Sequence, residues 1–94
     1  MIKLSKILWT LKFSLKAEKR FDKLDPVVRK RIFAFLDERV VHQINPRIYG
    51  KQLTGIHADK WSYRIGDYRV LAHIKDEEML ILAINVGHRR DIYD

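Results

Sequence analysis

Four arginines and two proton-bearing side chains crowd into the last third of this 94-residue chain: Arg64 and Arg69 flank Gly66-Asp67, and His88, Arg89, Arg90 and Tyr93 close the sequence. Glycine at the first central position suits a two-residue type II′ hairpin turn, whose twist matches the strands on either side. Ile65 then pairs with Tyr68, and Arg64 falls directly across from Arg69 on the same face. Like charges opposed in an antiparallel ladder destabilise it by a few tenths to ~1 kcal/mol, so the placement calls for compensation, which a bound anion supplies. Arg89 and Arg90 follow Gly87, which can bring a third guanidinium near the first two, and planar forks around one cleft suit a phosphate. His88 and Tyr93 can move protons, histidine near neutral pH. RNA cleavage by its own 2′-hydroxyl needs a base for that hydroxyl, positive charge for the equatorial oxygens and an acid for the 5′-oxygen, and this set covers all three. The plainer alternative leaves the arginines in water or paired with Asp91 or Glu78, and makes the terminal His and Tyr packing or surface residues.

The elements that must hold these groups are legible as periods. Ile7, Trp9, Leu11 and Phe13 alternate with Leu8, Thr10, Lys12 and Ser14, predicting a first strand over about 7–14. Ala17, Phe21 and Leu24 recur at helical spacing with Lys16, Lys19, Arg20 and Lys23 on the other face, an amphipathic helix that is basic outside. Asp25-Pro26 reads as an N-cap and first helical residue, and Val28, Ile32, Phe35, Leu36 and Val40 carry a second helix to about 41. From His42 to Asp59, Asn45-Pro46, Gly50 and Gly55 interrupt any period, so the stretch reads as a connection. Two alternating strands follow, Trp61 to Ile65 and Tyr68 to Ile74. A polar turn at Lys75 to Glu78 then leads into Met79 to Val86, apolar on both faces and expected to be the central strand. The order is β-α-α-β-β-β. Trp9, Trp61 and Phe33 read as packing residues rather than stacking platforms.

Composition bounds the class. With 47% hydrophobic residues and ten aromatics the chain fills one core, and residues 1–94 read as a single domain. It contains no cysteine, which removes disulfides and thiolate metal sites and points to a reducing cytosol. No apolar run approaches the ~20 residues of a membrane span, and neither a signal peptide nor a membrane partner is expected. The net charge of +7 points to a polyanionic partner. Its surplus sits in residues 1–47, with twelve Lys/Arg against five Asp/Glu, while residues 48–94 balance at seven each. A solvated helix face accounts for much of such a surplus. His42, His57 and His73 lack metal-ligand spacing and read as structural or surface residues, so no metal and no cofactor is expected.

Three segments carry a family resemblance: Gly50-Lys51-Gln52-Leu53-Thr54-Gly55, the hairpin Trp61 to Val70, and Ile84-Asn85-Val86-Gly87-His88-Arg89-Arg90-Asp91-Ile92-Tyr93. With the element order they resemble the RelE/ParE toxin superfamily, RelE-like branch, from about Trp9 to Tyr93. The resemblance implies an α+β fold in which a twisted antiparallel sheet packs on an N-terminal helical hairpin, with the site on the opposite concave face. It also implies a type II toxin–antitoxin toxin that cuts messenger RNA in the ribosomal A site without metal, and an antitoxin that wraps the sheet and helices. By position Arg69, Arg89 and Tyr93 match the family's two arginines and terminal tyrosine, Arg64 a basic position and Lys51 a frequent lysine. Ser62 stands where the best-known members carry another lysine, and the chain stops one residue after Tyr93 without a C-terminal helix, which leaves the general base open.

The candidate catalytic set is therefore Arg64, Arg69, His88, Arg89 and Tyr93, with Lys51, Ser62 and Arg90 as RNA or phosphate ligands. Leu8 and Ile92 are apolar positions without evident burial, candidates for antitoxin contact. Two other readings stand beside the endoribonuclease: a ParE-type DNA gyrase inhibitor of the same fold, and a non-catalytic basic binding module or inactive toxin.

Overall fold

The computed structural model describes residues 8–92. Along the chain run β1 (Thr10–Phe13), α1 (Leu15–Asp22), α2 (Pro26–Leu36), β2 (Gly50–Gln52), β3 (Trp61–Ile65), β4 (Tyr68–Lys75) and β5 (Leu80–His88). The strands form one sheet in the order β1-β5-β4-β3-β2. The α+β class and the two helices followed by a run of strands are as expected. The sheet, however, is mixed: β1 runs parallel to β5, with Thr10 beside Leu80 and Phe13 beside Ala83. Parallel neighbours need a long crossover, and everything between Ser14 and Met79 provides it.

Two expectations about the strands change. A short strand, β2, forms inside the stretch expected to be irregular, because three residues are too few to display a period. It pairs antiparallel with β3, Lys51 opposite Ser62. The apolar β5 is flanked by β1 and β4, but the middle of the sheet is β4, since β2 extends the far edge.

The helices begin where caps predict. The Ser14 hydroxyl accepts from the Ala17 amide at 3.1 Å and donates to the Ile84 carbonyl at 3.3 Å, starting α1 and strapping it to β5. Asp25 and Pro26 occupy the expected cap and first positions of α2, yet the Asp25 carboxylate makes no capping bond. The last turn expected of this helix widens into a π-turn over Asp37–Val41, which keeps Val40 and Val41 in the core. That core joins Ile32 and Leu36 of α2 to Tyr63, Ile65, Val70, Ala72, Ile81 and Val86 of the sheet, with Trp9 and Trp61 against it as expected.

Three apolar side chains sit elsewhere than the sequence suggests. Leu8 packs against the core, where its amide bonds the Val41 carbonyl at 3.0 Å. Ile92 is 1% exposed, because the tail folds back over the sheet. Phe33, read as packing, is 55% exposed, because it lies on the flank of α2 turned from Ile32 and Leu36. No helix among the described residues is long and apolar enough to cross a membrane.

Candidate phosphate-binding site

The hairpin turn sets the site. Gly66 has φ +58° and Asp67 does not, the type II′ pattern. A Cβ at Gly66 would also come within 2.9 Å of the Arg31 guanidinium. With the turn closed in two residues, Ile65 pairs with Tyr68 and Arg64 with Arg69. Alternation then gives one face of β3 and β4 to Ser62, Arg64, Arg69 and Leu71, and the other to the core residues Tyr63, Ile65 and Val70.

On the arginine face lies a hollow of about 430 Å³ walled by Ile48, Tyr49, Gly50, Lys51, Leu53, Ser62, Arg64 and Arg69. Two cross-strand pairs, Lys51 with Ser62 and Arg64 with Arg69, therefore face one cavity. Both hydrogens of Arg69 Nη1 are taken, by the Gly66 and Tyr68 carbonyls at 2.8 Å each. This leaves Nε and Nη2 of a guanidinium whose direction is already fixed. Among the described residues no carboxylate comes within 4.0 Å of Arg64, Arg69 or Lys51.

The tail does not deliver its whole set to this hollow. Arg89 is tied to the hairpin turn, its amide donating to the Asp67 carbonyl at 2.7 Å and its Nε lying 3.7 Å from the Asp67 carboxylate. It stands beside the hollow rather than in its wall, and an exposed pair of that length holds it weakly. His88 must be regrouped. The register pairs it with Tyr68, so its ring goes to the opposite side of the sheet from Arg69, packing edge-on against Tyr68 at 5.5 Å. The reason is strand parity: Gly87 shares the Arg69 face and the next residue cannot. His88 Nδ1 accepts from the Arg90 amide at 3.2 Å, and Arg90 itself is exposed. Tyr93 lies outside the described residues.

What fixes the tail was not read from the sequence. Asn85 is 6% exposed and makes three bonds: its Oδ1 accepts from Arg20 Nη1 and from the Val86 amide, both at 3.0 Å, and its Nδ2 donates to the Ile92 carbonyl at 3.1 Å. A Cβ at Gly87 would meet Arg20 Nη2 at 2.9 Å, so that glycine lets the Arg20 side chain lie over the strand.

The loop before β2 is fixed in the same manner. The buried Tyr63 hydroxyl donates to the Pro46 carbonyl at 2.6 Å, and burial pushes that hydroxyl well above the usual tyrosine range. Arg47 forks onto Asp76 at 3.0 and 2.6 Å and lies over the Trp61 ring. That hydrogen bond holds the Asp76 carboxyl below the usual carboxylate range and raises Arg47.

The family model that matches this chain is that of the ParE toxin of the type II toxin–antitoxin system parDE, over residues 11–93. The chain belongs to the RelE/ParE toxin superfamily. Toxin RelG of Mycobacterium tuberculosis is 32% identical over 85 residues, 90% of this chain and 95% of that protein. The fold of this RelE/ParE toxin also matches the RelBE2 toxin–antitoxin complex of M. tuberculosis, with TM-score 0.80 at 29% identity over 90% of this chain and 95% of the other. The isolated RelE toxin of Escherichia coli matches with TM-score 0.62 at 27% identity over 85% and 83%. Within this RelE/ParE scaffold, Ile48 and Tyr49 are residues of the hollow that sequence reasoning passed over. Their signal was their position just before the Gly50-Lys51 segment.

Proposed function

We propose that this toxin is a ribosome-dependent messenger-RNA endonuclease whose hollow receives the phosphate being cut. The observation that carries the reading is the Arg64–Arg69 cross-strand pair, two arginines opposite each other on one face, lining one hollow with Lys51 and Ser62 and, among the described residues, without a carboxylate within 4.0 Å of either. In the reaction the 2′-oxygen attacks phosphorus and its proton leaves to a base. The bond to the 5′-oxygen breaks, that oxygen gains a proton, and the products end in a 2′,3′-cyclic phosphate and a 5′-hydroxyl. Charge gathers on the equatorial oxygens as the transition state forms, and fixed cationic donors favour that state over the ground state.

The roles follow from position. Arg69, held by two carbonyls, and Arg64 bind the phosphate, and Arg89 adds its charge by exchanging the loose Asp67 contact for the ligand. Lys51 brings an ammonium next to Ser62, where the best-known relatives carry a lysine. It and Tyr93 are the proton carriers, with Ser62 and Arg90 as ligands of the RNA. His88, on the helix side, supports the tail. The partner that restrains the toxin is a cognate antitoxin. An apolar hollow of about 320 Å³ between Trp9, Leu11, Phe33 and Val41, beside the edge strand β1, supports that partner.

Purified toxin added to translating ribosomes should yield message fragments with 2′,3′-cyclic phosphate ends, and Arg69→Ala should yield far fewer. Intact messages under growth arrest would overturn the reading. Because the matching family model is that of the ParE toxin, the second reading is inhibition of DNA gyrase. Trapped gyrase cleavage complexes, with messages intact, would establish it instead.

A further inference from the structure

Phosphate ligands carry no information about the base attached to the next sugar, and the hollow contains a group that can read one. Tyr49 is 45% exposed and forms part of the wall that also holds Lys51, Ser62, Arg64 and Arg69. Its ring is not a loose surface side chain. The Arg39 guanidinium sits 5.1 Å from the ring centroid, and Phe35, itself against Tyr63, meets it edge-on at 6.5 Å. Beside it Ile48 is 60% exposed and apolar. A large ring left half in water, with a cation over one face and an aromatic edge against it, is in place before any ligand arrives. Tyr49 lines the same cavity as the cationic groups.

Single-stranded RNA is recognised by this combination, a charged track for the backbone and an aromatic face on which an unstacked base lies. We propose that Tyr49 is the stacking platform for a nucleobase flanking the phosphate bound by Arg64 and Arg69, with Ile48 covering the base edge. This rests on the RNA reading above and adds to it a base-contacting residue. Stacking is sequence-tolerant because every base has a π-face, so the platform accepts any base at that position.

The test measures binding apart from cleavage. Wild type, Tyr49→Phe and Tyr49→Leu are titrated with a short adenosine oligoribonucleotide and with an abasic ribose-phosphate chain of equal length. Wild type and Tyr49→Phe should bind the adenosine chain roughly five- to 150-fold more tightly than the abasic one, the range expected of one stacked base. Tyr49→Leu, which fills similar space without a π-face, should bind both chains alike and match wild type on the abasic chain. Circular dichroism of the three proteins checks that the ring's contacts with Phe35 are not needed for folding. Equal binding of both chains by wild type, or an unchanged preference in Tyr49→Leu, overturns the inference. Failure to cut messages on ribosomes bears on the nuclease alone, because the difference between the two chains needs no catalysis.

Discussion

Arg69 spends two hydrogen bonds on its own hairpin before it meets any ligand, which orders the guanidinium at no cost to later binding. Replacing it separates function from stability. Arg69→Ala should lower message cleavage by roughly two to three orders of magnitude, the scale of removing one preorganised donor at a developing charge. Thermal unfolding should place the same variant within about 1 kcal/mol of wild type, because relief of the repulsion with Arg64 offsets the loss of the two hydrogen bonds to the Gly66 and Tyr68 carbonyls. A clear loss of stability would show that the pair is structural. Tyr63→Phe tests the opposite kind of residue. It leaves the Pro46 carbonyl buried without its donor and should cost about 1–3 kcal/mol in urea unfolding. At this scale the hairpin was open to reading from sequence, since a two-residue turn and a strand of period two fix which residues face each other. Tyr49 was not, because nothing in a loop's composition tells which way a ring points.

Among the elements, the tail and the loop before β2 are held by single clamps. Ile92→Ala should cost about 2–5 kcal/mol by cavity formation, measured by thermal or urea unfolding, although the sequence placed this residue at the surface. Asn85→Ala removes the bond to the Ile92 carbonyl and the partner of Arg20. It should reduce cleavage more than Arg69-dependent phosphate binding, as tail residues lose their place. The Arg47–Asp76 fork gives a pH signature. Asp76 is depressed in the folded state, so its contribution is present above the unfolded carboxylate value of about 3.9 and is lost as pH falls through the lower folded one. Asp76→Asn should therefore flatten the acid limb of an unfolding-versus-pH curve below pH ~4 and change little near neutrality. A limb unchanged by the substitution would place the acid sensitivity elsewhere. The strand β2, which carries Lys51 into the hollow, escaped the periodic reading because three residues gain strand form only from pairing with β3.

For the whole molecule the charge of +7 implies association steered by counterion release. Binding to single-stranded RNA should weaken with salt, and Arg64→Ala with Arg69→Ala should reduce the log–log slope by roughly 0.7 for each phosphate no longer neutralised. A slope unchanged in the double variant would assign the RNA contact to the basic helices instead. Those helices and the hairpin obey local rules: caps, 3.6-residue and two-residue periods, and a glycine where φ is positive. The sequence by itself therefore determined the order of every strand and helix except β2, the Arg64–Arg69 opposition and the basic surplus of the first half. Only the tertiary structure decided that β1 lies parallel to β5, that β2 completes the wall of the hollow, that Ile92 is buried beneath Arg20 and Asn85, and that His88 faces the helices. Each of these depends on which distant strand arrives alongside and on the register it adopts, and a shift of one residue along a ladder moves a side chain to the other face.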